Sequence, residues 1–215
     1  MAIFVGGQMV SCITPQIVRE DIGVKREVSA QGVYQMPSSN FTFSLPSNAT
    51  DVGTQAMYYA FNGCTSLTSV TFPSLTTVSG DRALHNAFRD CTSLTSVDLS
   101  SLTTVSGSSA MDATFNGCTS LTSVTFPSLT TVNNNVAMSS IFKGCRSLTT
   151  LSFPSLNSNS FGSYVNQFTR MLDGVTGCTV HFPSNLQSVI GSWSSVTSGF
   201  GGTNTTVLFD LPATT

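Results

Sequence analysis

Phe61-Asn62-Gly63-Cys64-Thr65-Ser66-Leu67-Thr68-Ser69-Val70-Thr71-Phe72-Pro73-Ser74-Leu75-Thr76-Thr77-Val78 returns without a single change as Phe115 to Val132. Between the two copies lies Phe88-Arg89-Asp90-Cys91-Thr92-Ser93-Leu94-Thr95-Ser96-Val97-Asp98-Leu99, and after them Phe142-Lys143-Gly144-Cys145-Arg146-Ser147-Leu148-Thr149-Thr150-Leu151-Ser152-Phe153-Pro154. Phe61, Phe88, Phe115 and Phe142 are 27 residues apart, and Met57, Leu84, Met111, Met138 and Val165 keep the same step in a second register. A fixed period of roughly 20–50 residues marks a stacked repeat, because one such unit cannot bury its apolar face without its neighbours.

Each unit reads locally. Val70 and Phe72 alternate with Ser69 and Thr71, the period-2 pattern of a short strand with one face in and one face out. Pro73 has no N–H for a ladder and stops the strand. Leu75 and Val78 then turn inward along an extended segment, and the Gly63-Cys64 pair leads the chain back to the next strand. Ala83, Leu84, Ala87 and Phe88 fall at i, i+1, i+4 and i+5, which predicts a short helix on the opposite, convex side. The inward residues Val70, Val97, Val124 and Leu151 are expected to stack as one column on adjacent parallel strands.

The core Leu67-x-x-Val70-x-Phe72 fits the leucine-rich-repeat pattern. The fold class expected is therefore an α/β repeat solenoid: leucine-rich-repeat turns of 27 residues, a parallel sheet of short strands, short convex helices and a small β-rich N-terminal module. Residues 41–183 form the solenoid, with Phe43, Leu45 and Pro46 a degenerate first turn. Val180-His181-Phe182-Pro183 is the strand-stop again, two residues late. Residues 184–215 lose the repeat and are expected to cap it, with Thr206-Val207-Leu208-Phe209 as a closing strand. Residues 1–40 are a separate module, with a hairpin at Ile3-Phe4-Val5, Gly6-Gly7 and Met9-Val10. Six of the 18 charged residues lie between Arg19 and Glu27.

The run Ala60-Phe61-x-Gly63-Cys64-x-Ser66-Leu67-x-Ser69-Val70 resembles the BspA-type leucine-rich repeat, and the resemblance extends from about Phe41 to Asp210. That family is common on the surfaces of gut and oral bacteria and in the phages that infect them. The resemblance implies the fold and a role in adhesion or recognition, not a reaction. The chain departs from the family in its longer repeat, and Met1 to Gln8 is not expected to act as the export signal of the family's surface members.

Composition narrows the function classes. Charged residues are 8% of the chain and hydrophobic ones 40%, so disorder is excluded and solubility rests on the 64 Ser and Thr. With a net charge of −2 and no basic stripe, nucleic acid is not expected as a partner. No apolar run reaches the ~20 residues of a membrane helix, so no membrane insertion is expected.

Chemistry is sparse. Cys64, Cys91, Cys118 and Cys145 share one repeat position and stack in a line about 4.8 Å apart. A line does not supply the tetrahedron zinc requires. Disulfides between alternate turns are geometrically possible, but a ladder of buried free thiols is the favoured reading. Cys12 and Cys178 lie outside it. Asp81 can reach His85 at i+4, yet no nucleophile accompanies them, and His85 at a variable repeat position reads as a solvated side chain. No phosphate loop, paired-carboxylate cleft or metal loop is found, so no catalytic residue, cofactor or metal is expected. The terminal Leu211-Pro212-Ala213-Thr214-Thr215 only approaches a sortase signal.

The candidate binding residues are those of the outward strand face: Thr68, Ser69, Thr71; Thr95, Ser96, Asp98; Thr122, Ser123, Thr125; Thr149, Thr150, Ser152. This hydroxyl grid suits a cell-surface glycan or another protein's backbone, and Ser and Thr also simply suit exposed strand positions. As an ice lattice it is spoiled by Asp98 and the uneven Ser/Thr alternation. The expectation is a non-enzymatic structural or recognition protein of a phage virion, a tail fibre or head decoration that binds host-surface material. The alternative is a bacterial cell-surface or secreted adhesin. Either is expected to assemble as a homo-oligomer or to dock on a larger particle through residues 1–40, with the repeats presented outward.

Overall fold

The structure, a computed structural model, describes residues 3–5, 8–10, 40–45, 47–161, 166–190 and 199–213. A hairpin of β1 (Ile3–Val5) and β2 (Gln8–Val10) precedes β3 (Phe41–Ser44). Then follow β4 (Leu67–Thr71), β5 (Thr77–Val78), β6 (Ser96–Asp98), β7 (Thr104–Val105), β8 (Ser123–Thr125) and β9 (Thr131–Val132). The chain ends with β10 (Thr150–Ser152), β11 (Thr179–Pro183), a short 3₁₀ and α-helical turn over 184–190, and β12 (Thr206–Leu211). The stack is a parallel-strand solenoid in which each rung lays one strand beside the last, at a step of 27 residues that lengthens to 29 between Leu151 and Val180. Val70 faces Phe43 and Val97 in neighbouring strands, and Leu151 faces Val124 and Val180. A second, flanking sheet, β5-β7-β9, carries the register Val78, Val105, Val132.

The expected single column of Val70, Val97, Val124 and Leu151 is interrupted once. The strand face consists of two sheets, β3-β4-β6 and β8-β10-β11-β12, and β6 does not pair with β8. Val97 is only half-buried, whereas Val70, Val124 and Leu151 are buried.

The convex side carries no helix among the described residues of the repeats. Ala83, Leu84, Ala87 and Phe88 are all fully buried, as the sequence pattern requires, but along a ribbon of successive tight turns. Arg82, Asn86 and Asp90 have positive φ, as do Ser109, Ala113 and Gly117 in the next rung, so a left-handed residue recurs every fourth position and no helix propagates. Hydrogen bonds alternate accordingly. Ala83, His85 and Ala87 donate to the carbonyl three residues back, while Leu84, Asn86 and Phe88 donate to Ala110, Asp112 and Thr114 of the next rung. The physical gain is spacing. Packed helices sit about 8–10 Å apart, twice the ~4.8 Å of strands, whereas this ribbon stacks by backbone hydrogen bonds in step with the strands. A four-residue ribbon places i and i+4 on one side much as a helix does, so the apolar pattern cannot tell them apart.

The core runs the length of the stack. Phe61, Phe88, Phe115 and Phe142 form one column with ring centroids 5.3, 5.6 and 5.9 Å apart and nearly parallel planes. Phe126, Phe153 and Phe182 form a second, at 5.1 and 5.3 Å. The cysteine line lies beside the first. Cys91, Cys118 and Cys145 donate their thiols to the carbonyls of Phe61, Phe88 and Phe115 at 3.1, 3.2 and 3.0 Å. Burial pushes the Cys145 thiol up to about 12 and raises Cys118 further still. In the sixth rung Val175 takes the cysteine's place, and buried Cys178 stands level with the leucines Leu67 to Leu148. Cys12 and Val165 lie outside the described residues. On one flank the rungs touch through backbone alone: a Cβ on Gly107 would lie 2.2 Å from the Gly80 carbonyl oxygen, which no side chain survives.

The many hydroxyls tie rung to rung. Thr76, Thr103 and Thr130 donate to the carbonyls of Thr50, Thr76 and Thr103, and Ser101 and Ser128 to those of Pro73 and Ser100. Ser and Thr therefore serve the stack as well as the solvent. No helix of the described residues is long and apolar enough to cross a membrane. The closing strand exists, runs to Leu211 and extends the Phe182 column with Phe209 at 6.1 Å.

Candidate functional site

The twelve grid residues lie on the outward strand face as ordered columns. Ser69 and Ser96 form one column with Thr42, and Ser123 and Thr150 continue it to Thr179 and Thr206. Thr71 stands beside Asp98, and Thr125 beside Ser152, in the outermost column. Thr95, Ser96, Asp98, Thr122, Ser123, Thr125 and Thr149 are exposed, while Thr68, Ser69, Thr71, Thr150 and Ser152 are half-buried.

Some of these hydroxyls are engaged within the stack. Thr95 donates to the Thr68 carbonyl at 3.1 Å and Thr149 to that of Thr122 at 3.2 Å. The 68/95/122/149 column is thus partly a row of inter-rung ties. Asp98 is exposed and accepts the Ser100 N–H at 2.9 Å through Oδ1 in a local turn. The break between β6 and β8 splits the grid into two panels, with a cleft of about 420 Å³ between them.

Spacing alone does not reveal one member of the face. His181 sits beside Ser152, so the outermost column reads Thr71, Asp98, then Thr125, Ser152, His181. Its Nδ1 lies 2.9 Å from Asp210 Oδ1 on β12. The late arrival of Val180-His181-Phe182-Pro183 hid it, although aligning that motif on Leu151-Ser152-Phe153-Pro154 points to the position.

His85 corrects an expectation. It is not a solvated side chain: only 19% exposed, it stacks on Tyr58 at 5.3 Å and 12°. Its carboxylate neighbour is Asp112 of the next rung, at 3.3 Å but off the line of a hydrogen bond, rather than Asp81. Asp81 instead accepts the Ser108 N–H at 2.8 Å. An i+4 contact requires a helix, and in the ribbon the stacked rung is the nearer neighbour. Among the described residues no group of three His, Cys, Asp or Glu is placed to hold a metal ion.

The family model for the BspA type leucine rich repeat region matches residues 34–172 in six copies. No curated protein matches this chain significantly. Among solved structures it is similar to a leucine rich cell surface protein from Faecalibacterium prausnitzii A2-165, at 21% identity and a TM-score of 0.38, over 76% of this chain. The match spans 31% of that protein's chain.

Proposed function

From the premise that this chain belongs to the BspA-type leucine-rich-repeat family, we propose that it is a non-enzymatic recognition protein whose outward strand face binds surface material of a bacterial cell. The observation that carries this is the face itself: ordered hydroxyl columns on two abutting parallel sheets, where Asp98 and His181 are the only titratable groups on the described face strands from β4 to β11. Such a surface offers directional hydrogen bonds without strong charge, which suits glycans and protein backbone better than ionic ligands. A rigid array also loses little conformational entropy on binding.

The setting we favour is a phage particle, with the protein as a tail fibre or head decoration that contacts the host surface. Low charge and the charge cluster from Arg19 to Glu27 support it, the cluster marking a docking segment apart from the repeats. Residues 1–40 then attach the protein to the particle or to further copies, and the stack points outward. The family's surface association supports a second setting, display on a bacterial cell.

The test is binding of labelled protein to bacterial cells. T71R/S152R places two bulky cations on the outward columns and should reduce binding at least tenfold, while N133R, on an exposed flank, leaves it unchanged. Equal effects of the two variants refute the strand-face reading. Immunogold labelling of purified particles against whole cells decides the setting.

A further inference from the structure

We infer that the cleft between β6 and β8 is a binding site for one neutral saccharide unit, flanked on both sides by the hydroxyl columns. This rests on the reading of the strand face as the binding face and assigns it a centre.

The cleft is a local departure from a repeating pattern. Leu45, Phe72, Phe126 and Phe153 occupy one repeat position, and each donates its N–H to the next strand, to Thr71, Asp98, Ser152 and His181, at 2.9–3.2 Å. Leu99 holds the same position in the third rung and has no such bond. Thr95 and Thr149 donate back to Thr68 and Thr122, at 3.0 and 2.9 Å, but Thr122 has no matching bond to Thr95. Elsewhere the same two rungs stay joined: Phe88 N–H reaches the Thr114 carbonyl, and Thr130 N–H that of Thr103, both at 2.9 Å. The rungs part on the strand face only.

The sequence changes where the sheet opens. Thr-Phe-Pro at 71–73 and 125–127 becomes Asp98-Leu99-Ser100. Ser100 has the N–H that proline lacks and gives it to Asp98. Leu99 is shorter than Phe, and the stacked column of Phe153 and Phe126 stops there.

The chemistry of the opening selects its occupant. The cleft is lined by Leu99, whose amide N–H has no strand partner, by the exposed hydroxyls of Ser96 and Ser123, and by the exposed Asp98 carboxylate. Val97, Val124 and Pro127 supply an apolar floor. A sugar ring matches this mixture, with hydroxyls that both donate and accept around a C–H face. At about 420 Å³ the cleft falls in the range of small-ligand sites. A protein strand is excluded, because insertion requires roughly 9–10 Å between the flanking strands, and Cα atoms of β6 and β8 still approach within 8 Å. Acidic sugars are disfavoured by the Asp98 carboxylate, which has no cationic partner in the cleft lining.

The test is amide NMR titration of the full chain with maltotriose, tri-N-acetylchitotriose and trigalacturonate. At least one neutral trisaccharide should shift the amides of residues 95–100 and 122–127, and trigalacturonate should shift none of them. D98N should weaken the neutral ligand about tenfold. D98T/L99F/S100P, which rewrites the third rung as its neighbours, should close the sheet and abolish the shifts. Thermal melts report folding, and D98N, an exposed isosteric change, carries the test alone if the triple variant melts early. Shifts confined to other residues, no shift with either neutral probe, or unchanged affinity in D98N each overturn the proposal. Weakened cell binding in T71R/S152R, with trisaccharide shifts absent, overturns the cleft alone; unchanged cell binding in T71R/S152R overturns the strand-face reading beneath it.

Discussion

Replacing Phe115 tests whether the stack is held by its aromatic column. The ring is fully buried, with Phe88 at 5.6 Å and Phe142 at 5.9 Å and planes tilted by 12° and 8°. Phe115→Ala removes the buried ring and leaves a cavity, at a cost of about 3–5 kcal/mol. Phe115→Leu keeps much of the volume but loses two aromatic pairs, each worth about 0.5–1.5 kcal/mol beyond area burial, so about 1–3 kcal/mol. Phe209 provides the internal control. It is half-buried on the last strand and stacks on Phe182 at 6.1 Å. Phe209→Leu loses that one pair and should cost about 0.5–1.5 kcal/mol. The assay is urea denaturation followed by circular dichroism, with free energy from the midpoint and slope. Because each rung contacts only its neighbours, Phe115→Ala should also lower the slope as the two halves of the stack uncouple. A Phe209→Leu cost equal to that of Phe115→Leu, or a Phe115→Ala cost below about 1 kcal/mol, would show that the column does not bear the stability assigned to it.

Two further outcomes follow from the same geometry. Ala110 and Ala113 lie on one convex segment, but only Ala113 has positive φ, at 53°; Ala110→Gly should cost about 1 kcal/mol and Ala113→Gly should be neutral or stabilising, whereas a helix would make both costly. Burial raises the Cys145 thiol from 9.0 to about 12, so the folded state holds a proton that the unfolded chain gives up. The stability from this thiol is therefore complete below about pH 9 and falls as pH rises towards 12, by up to about 1.4 kcal/mol per unit. Comparing the pH slope of wild type and Cys145→Ala between pH 9 and 11 isolates it, and equal slopes would refute the assignment.

The 27-residue step determined that the chain is a solenoid, because ladders of Phe61, Leu67, Val70 and Phe72 are apolar in every rung and can be buried only by stacking. Which residues face inward was equally legible, since strand alternation puts Val70 and Phe72 on one side whatever the neighbours do. The outward grid followed by subtraction. Tertiary structure decided the rest. The convex ribbon has the same four-residue recurrence as a helix, and only the spacing of the stacked rungs selects between them, a quantity no single rung encodes. The carboxylate nearest His85 was decided the same way, by the adjacent rung rather than by the neighbour in sequence. The cleft at Asp98 needed both levels. Asp98-Leu99-Ser100 marks the odd rung in the sequence, but a missing backbone bond belongs to two strands at once and exists only where they are laid side by side.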